Sequence, residues 1–424
     1  MPPSPTSVAH VAHPAGRIAN PDRLRECVHC GLCLDACPTY LELGTEMDSP
    51  RGRIYLIKQV AEGGLSLDRE VVRHLDLCLG CRACEPACPS GVRYGSIIED
   101  ARAYVERCAP RTWKERVRRT AILGTFPHPR RLRRLMRLAQ LARGLGLWPV
   151  VTRLVGAAAL LPAPQRRTQP RLAAFHAALG RERARVGLLT GCVADVLCGE
   201  VNAAAVRALT RAGVAVVVPT EQGCCGALHL HSGDPDGARR LARRNLAAFP
   251  PDLDAVVVTA AGCGSAMKEY GALLADEGVA ERAAAFAGRV RDVLEVVAQF
   301  ASPPPAHPRP QRVTYHDACH LAHAQGVRAT PRQLLAAIPG LELVELGESD
   351  VCCGSAGSYN LSEADMARRL RERKIDHIAA SGADCVAVAN PGCALQIRAG
   401  LAARRLNVRV AHPIELLDEA YGSE

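Results

Sequence analysis

The chain has 424 residues, enough for two to three domains, and its 48% hydrophobic and 23% charged residues are the balance of an ordinary globular protein. Aromatic residues reach only 4%, too few for a base-stacking platform. The net charge of +10 comes from 53 basic against 43 acidic residues, with only Lys58, Lys114, Lys268 and Lys374 as lysines, an arginine bias that reflects genome composition as much as function.

Residues 1–21 read as a flexible N-terminus, and Met1 to Asn20 lack the apolar core of a signal peptide. Residues 22–108 read as helices between metal loops, with helical patterns at Gly52–Ala61, Arg69–Leu77 and Ser96–Cys108. Residues 109–183 have no cysteine and are rich in Arg, Leu and Pro, a helical basic linker. Within it, Arg130 to Arg143 alternates Arg with Leu, Met and Ala at helical spacing, and Leu145 to Leu161 is nearly apolar. The expected role is a helix packed between two cysteine-rich halves with a solvated arginine face. Docking to a membrane surface or a partner subunit is the alternative. No uncharged apolar run reaches the ~18 residues of a transmembrane helix.

Residues 184–302 and 311–424 form an internal repeat, joined by a Pro-rich linker at Pro303–Pro310. Cys192, Cys224, Cys225 and Cys263 are answered by Cys319, Cys352, Cys353 and Cys393, at offsets of 127 to 130 residues. Strands are expected at Val186–Thr190, Val214–Val218 and Ala255–Thr259, then at Arg312–Tyr315, Leu341–Leu346 and Cys385–Ala389, with helices between them. Alternation of this kind predicts parallel sheets, with the key cysteines just past the strand ends where such sheets hold ligands. The fold class is therefore α+β multidomain: a helical ferredoxin-like domain, then two α/β cysteine-rich domains.

The 19 cysteines are too clustered for a disulfide framework in a chain of this length, and reduced thiols holding metal are favoured. Cys27-x-x-Cys30-x-x-Cys33-x-x-x-Cys37-Pro38 and Cys78-x-x-Cys81-x-x-Cys84-x-x-x-Cys88-Pro89 have the bacterial ferredoxin spacing for [4Fe–4S] clusters. Three closely spaced thiolates wrap one cube and the fourth reaches the other. This assigns Cys27, Cys30, Cys33 and Cys88 to one cluster, and Cys78, Cys81, Cys84 and Cys37 to the second. Zinc sites use paired C-x-x-C units around a longer loop, so the unbroken triple spacing disfavours zinc. In the repeat, Cys192, Cys224, Cys225, Cys263, Cys319, Cys352, Cys353 and Cys393 are candidates for a further cluster or metal. Thiol redox chemistry and a purely structural role are the competing readings. Cys108, Cys198 and Cys385 lie outside both patterns, and Cys385 is expected in the core. His316, His320 and His323, and His229 and His231 after the first Cys-Cys-Gly, are expected mainly as hydrogen-bonded neighbours, with metal ligation or proton relay as the alternative. No G-x-G-x-x-G or phosphate-binding loop appears, and no catalytic residue is assigned.

Cys27-Val28-His29-Cys30-Gly31, Cys37-Pro38-Thr39-Tyr40, Asp48 to Lys58, Cys88 to Tyr94, His316-Asp317-Ala318-Cys319-His320, Cys352 to Gly357 and Asn390-Pro391-Gly392-Cys393 together resemble the iron–sulfur subunit family of bacterial glycolate oxidase. The repeat also resembles the Cys-Cys-Gly domain of heterodisulfide reductase subunits, lactate-utilisation proteins and the anaerobic glycerol-3-phosphate dehydrogenase small subunit. In that domain the motif ends in C-x-x-C, whereas here Ala260 and Asn390 replace its first cysteine, leaving four per copy. The resemblance implies electron transfer from FAD-bearing partner subunits that oxidise glycolate to glyoxylate, towards a quinone or the respiratory chain. It also implies a location at the inner face of the cytoplasmic membrane. The alternatives are the equivalent subunit of a D-lactate or glycerol-3-phosphate dehydrogenase, or a heterodisulfide-reductase-like protein.

Overall fold

The computed structural model describes residues 17–109, 111–154, 172–300 and 304–422. Most of the N-terminus read as flexible, the later part of the apolar stretch up to Leu161, and Pro303 of the linker lie outside the described residues.

The N-terminal part is helical, as its periodicity predicts. Helix Pro50–Ala61 begins at Ser49, whose Oγ accepts the Gly52 N–H at 3.0 Å, with Pro50 in the first turn where no amide is needed. Gly52 is required there, because a Cβ would fall 1.9 Å from the Glu46 carbonyl oxygen. Helix Arg69–Asp76 is capped by Asp68, and helix Tyr94–Cys108 completes the group. Together they bury Ile57, Leu75, Ile97 and Val105 in one core that also takes in Cys78 and Cys84.

Helices Trp113–Thr125, Pro129–Gly144 and Trp148–Leu154 follow. The second buries Leu132, Met136 and Ala139 on one face, and Met136 packs against Leu197 and Cys198 of the first cysteine-rich copy. The same cluster takes in Leu395 of the second copy. Its outer face is not purely arginine: Leu135, Leu138 and Leu141 are exposed there among Arg130, Arg134 and Arg137.

The strands are β1 (Phe175–His176), β2 (Ala184–Leu189), β3 (Val214–Val217), β4 (Ala255–Val258) and β5 (Val290–Asp292), then β6 (Gln311–His316), β7 (Leu341–Val344), β8 (Cys385–Val388) and β9 (Arg409–Ala411). The first sheet runs β1-β3-β2-β4-β5, parallel except for β1, and the second runs β7-β6-β8-β9, all parallel. Without β1, the two orders are the same, which is the duplication seen in three dimensions. β1, β5 and β9 are additions to the expected strands, too short to show a period of two. One hydrophobic core serves both copies, joining Val186, Leu188 and Val257 to Val313, Tyr315 and Ala387 through helices Gly199–Arg211 and Pro413–Tyr421. Asp418 on the latter accepts from both Arg207 (2.6 Å) and Arg211 (3.2 Å) on the former.

Candidate metal centres

The two ferredoxin-type loops share one backbone shape. Positive φ occurs at His29 and Gly31 in the first and at Gly80 and Arg82 in the second, the same two places relative to Cys27 and Cys78. Left-handed residues at alternate positions curl the chain so that successive thiols face one point. Burial raises the Cys27 thiol, and the nearby Cys88 and Cys30 raise it further. Burial lifts Cys33 to about 11, with Cys27 among its neighbours. Burial also raises Cys84 strongly, and there the adjoining thiols are Cys81, Cys78 and Cys37. Cys88 thus neighbours the first loop, while Cys37 lines one small cavity with Cys78, Cys81 and Cys84 and also neighbours Cys33. Crowded, desolvated thiols oppose one another's ionisation, and a bound cationic metal removes that opposition. The set contains no carboxylate, which suits thiophilic iron.

Arg53 is the residue here that sequence reasoning passed over. It lies in helix Pro50–Ala61 and is 1% exposed. Its Nε donates to the His74 carbonyl at 2.7 Å, its Nη2 donates to Thr39 Oγ1 at 3.0 Å, and its Nη1 lies 3.9 Å from Cys37 Sγ. Burial alone would raise the Cys78 thiol, but the Arg53 and Arg102 guanidiniums hold it below its ordinary value. Nothing in the local pattern singles Arg53 out from the other arginines of the stretch, since only the packing points it inward.

In the repeat, all eight motif cysteines follow the carboxyl ends of strands, as expected for an open parallel sheet. In the first copy, Cys192 Sγ is 3.3 Å from Cys224 Sγ, and the Cys225 thiol adjoins Cys224 and Cys263. The Cys-Cys turn is pinned from below. Asn245 donates to the Cys224 carbonyl (3.0 Å), and Tyr270 Oη donates to the Cys225 carbonyl (2.7 Å). Gly226 and Gly354 end the two turns at positive φ, and a Cβ on Gly354 would meet the Ala367 carbonyl oxygen at 2.7 Å. In the second copy the free thiols of Cys319, Cys352, Cys353 and Cys393 adjoin one another in the same way, and His316, Cys353 and Cys393 lie within 4.8 Å of one another. The two copies face each other across one cavity of about 190 Å³, lined by Cys192, Cys224, Cys225, Cys263, Cys319, Cys352 and Cys393. The second ferredoxin loop meets the second copy directly: Cys81 neighbours Cys352, and Leu77, Leu79 and Cys81 pack with Cys319, Cys352 and Tyr359.

The histidines divide. His229 is held by Asp234 (2.7 Å), and His323 by the Asp350 carbonyl (3.0 Å) and Arg328 (2.7 Å). His231 and His320 line the cavity with rings 5.2 Å apart, and His231 Nδ1 is 3.0 Å from Glu99 Oε1. His316 is fully buried beside Cys353 and Cys393. Cys385 and Cys198 are buried in packing cores, and Cys108 is half-buried against the helical core.

Comparison with known proteins places these thiols in two matched families. Residues 23–92 match the 4Fe-4S dicluster domain, and residues 186–268 and 313–398 match the CCG cysteine-rich domain. The chain is 41% identical over 418 residues to the "Probable glycolate oxidase iron-sulfur subunit" of Bacillus subtilis (strain 168), covering 94% of each chain. The chain belongs to the family of glycolate oxidase iron–sulfur subunits. It is also 36% identical to the glycolate oxidase iron-sulfur subunit of Escherichia coli (strain K12), covering 95% of each chain. A crystal structure of a hypothetical protein from Helicobacter pylori shares the fold, with a TM-score of 0.57 at 11% identity over 93% of this chain and 72% of that one.

Proposed function

We propose that this chain is the iron–sulfur electron-transfer subunit of a multi-subunit glycolate dehydrogenase, with FAD-bearing partner subunits that oxidise glycolate to glyoxylate and a quinone or the respiratory chain as acceptor. Family membership supports the substrate. The structural observation that carries the relay is contiguity: the second ferredoxin loop abuts the Cys319–Cys352 edge, which opens on the cavity shared with the first copy. When bound, a [4Fe–4S] cluster takes up and releases single electrons without bond rearrangement. Cys27, Cys30, Cys33 and Cys88 would hold one cluster, and Cys78, Cys81, Cys84 and Cys37 the second. The Cys-Cys-Gly cysteines of the repeat would hold a further iron–sulfur or other thiophilic centre. Arg53 balances charge at the second set, and Leu77, Leu79 and Tyr359 keep water from the junction.

Among the described residues no helix is long and apolar enough to cross a membrane. We assign peripheral membrane contact to the exposed leucine–arginine face of helix Pro129–Gly144.

The test is anaerobic electron paramagnetic resonance on the complex isolated through a tag on this chain, before and after glycolate. Reduced-cluster signals that appear with glycolate support the proposal. A complex with intact iron and flavin that responds only to D-lactate or glycerol 3-phosphate would sink the substrate assignment. Disulfide turnover by the isolated chain would favour heterodisulfide-reductase-like chemistry instead.

A further inference from the structure

The two cysteine-rich copies differ at one buried position next to their thiols. β2 ends at Leu189 and β6 ends at His316, and each of these residues closes a six-residue strand three places before the first motif cysteine. Leu189 packs against Cys192, Cys224 and Cys225 as an ordinary apolar side chain. His316 has 0% exposure. Its Nδ1 lies 3.0 Å from the Ser349 carbonyl oxygen, which can only accept, so Nδ1 donates there and Nε2 is left for another partner. Nε2 is buried with no oxygen or nitrogen partner, and the polar groups beside the ring are the Cys353 and Cys393 thiols. A ring nitrogen of His316 and the sulfurs of Cys353 and Cys393 all lie within 4.8 Å of one another. An imidazole whose Nδ1–H is fixed by a backbone carbonyl is oriented as metal-ligating histidines are. On the same cysteine, Asn390 Nδ2 donates to Cys393 Sγ at 3.4 Å, whereas the first copy has Ala260 at that place.

We propose that His316 is a metal ligand, giving the second copy a mixed site in which Nε2 joins Cys319, Cys352, Cys353 and Cys393 on an iron–sulfur or other thiophilic centre, at the place where the first copy has Leu189. The proposal rests on the reading that the repeat binds metal. It makes the two copies chemically unequal, and the mixed site is the one that adjoins the ferredoxin-type loops.

The test uses the full chain, purified anaerobically and reconstituted with ferrous iron and sulfide, with and without isotope-labelled histidine. Pulsed electron paramagnetic resonance of the reduced protein reads nitrogen coupled to the unpaired spin. The expected result is a strongly coupled nitrogen that changes with labelled histidine in the wild-type chain and is lost in His316→Leu, which installs the residue the first copy already accommodates. The isotope comparison needs no variant, so misfolding of His316→Leu cannot mask the answer. If metal analysis finds zinc at the second copy, cobalt exchanged into the site reads the same coupling. A centre that disappears in Cys319→Ser with Cys353→Ser, yet shows no histidine nitrogen in the wild type, would overturn the ligand role and leave metal binding standing. Metal content that does not fall in that double variant would remove the centre itself, and both readings with it.

Discussion

Arg53 shows how one side chain serves stability and redox chemistry together. A guanidinium buried this far would ordinarily lose basicity, but Cys78, Tyr94, Cys37 and Asp48 around it keep it charged. Two of its hydrogen bonds go to the His74 carbonyl and Thr39 Oγ1, groups that water does not reach. Arg53→Met keeps most of the volume and removes the charge. It strands those acceptors at a cost of about 1–3 kcal/mol each. It also makes an added electron on the Cys37–Cys78 side harder to accommodate, because net charge near the sulfurs tunes cluster potential. The expected outcome is a more negative midpoint potential for that cluster in a redox titration of the intact chain, with the other cluster little changed. An unchanged potential would refute the charge-balancing role. His316 belongs to the same scale, because its sequence neighbourhood names it only as a flanking histidine. Strand pairing and the Ser349 carbonyl give its two nitrogens different tasks.

At the scale of elements, the capped helices and longer strands were legible from pattern, and the short strands were not. β5 has three residues and ends at Asp292, which caps the following helix by accepting the Leu294 N–H at 2.9 Å through Oδ1. Oδ2 has no hydrogen-bond partner, and burial lifts the carboxyl from 3.8 to about 7. The sign follows from the raised value. Below about pH 4 the group is protonated folded and unfolded alike, and its stabilising contribution is intact. As pH rises through 7 the folded chain must carry a buried charge, and stability falls by up to about 4 kcal/mol. Asp292→Asn keeps an acceptor for Leu294 and removes the charge. Its melting temperature should exceed the wild type by a margin that widens from about pH 5 to about pH 8. A margin independent of pH would mean that Asp292 ionises normally.

Across the whole molecule, the two copies are bound into one unit. Leu209 lies at 0% exposure in the core that both sheets share. Leu209→Ala should therefore cost about 2–5 kcal/mol, and hydrogen exchange should speed up in β2 and β6 together. Loss confined to β2 would mean that the copies fold separately. The ferredoxin-type part is tied to the same unit by Tyr359 Oη donating to the Leu77 carbonyl (2.9 Å), by Arg373 with Glu42 (3.1 Å), and by an Arg82–Glu269 ion pair. The leucine–arginine helix Pro129–Gly144 presents apolar side chains to solvent. Leu138 is 63% exposed and Leu141 60%. Replacing both with Glu should weaken co-sedimentation with anionic phospholipid vesicles severalfold and leave the reduced-cluster spectra unchanged. Equal binding by the variant would send the membrane contact elsewhere.

The cysteine spacings, the Cys-Pro steps, the repeat and the strand–helix alternation were determined by sequence alone, because each depends on residues close in the chain or on a period repeated along it. The order of strands, the facing of the two copies across one cavity and the contact of Cys81 with Cys352 were decided only by tertiary structure. So were the inward turn of Arg53 and the burial of His316 beside Cys353 and Cys393. These join residues tens to hundreds of positions apart, and packing, not local pattern, chooses which of many arginines and histidines is taken out of water and set beside a thiol.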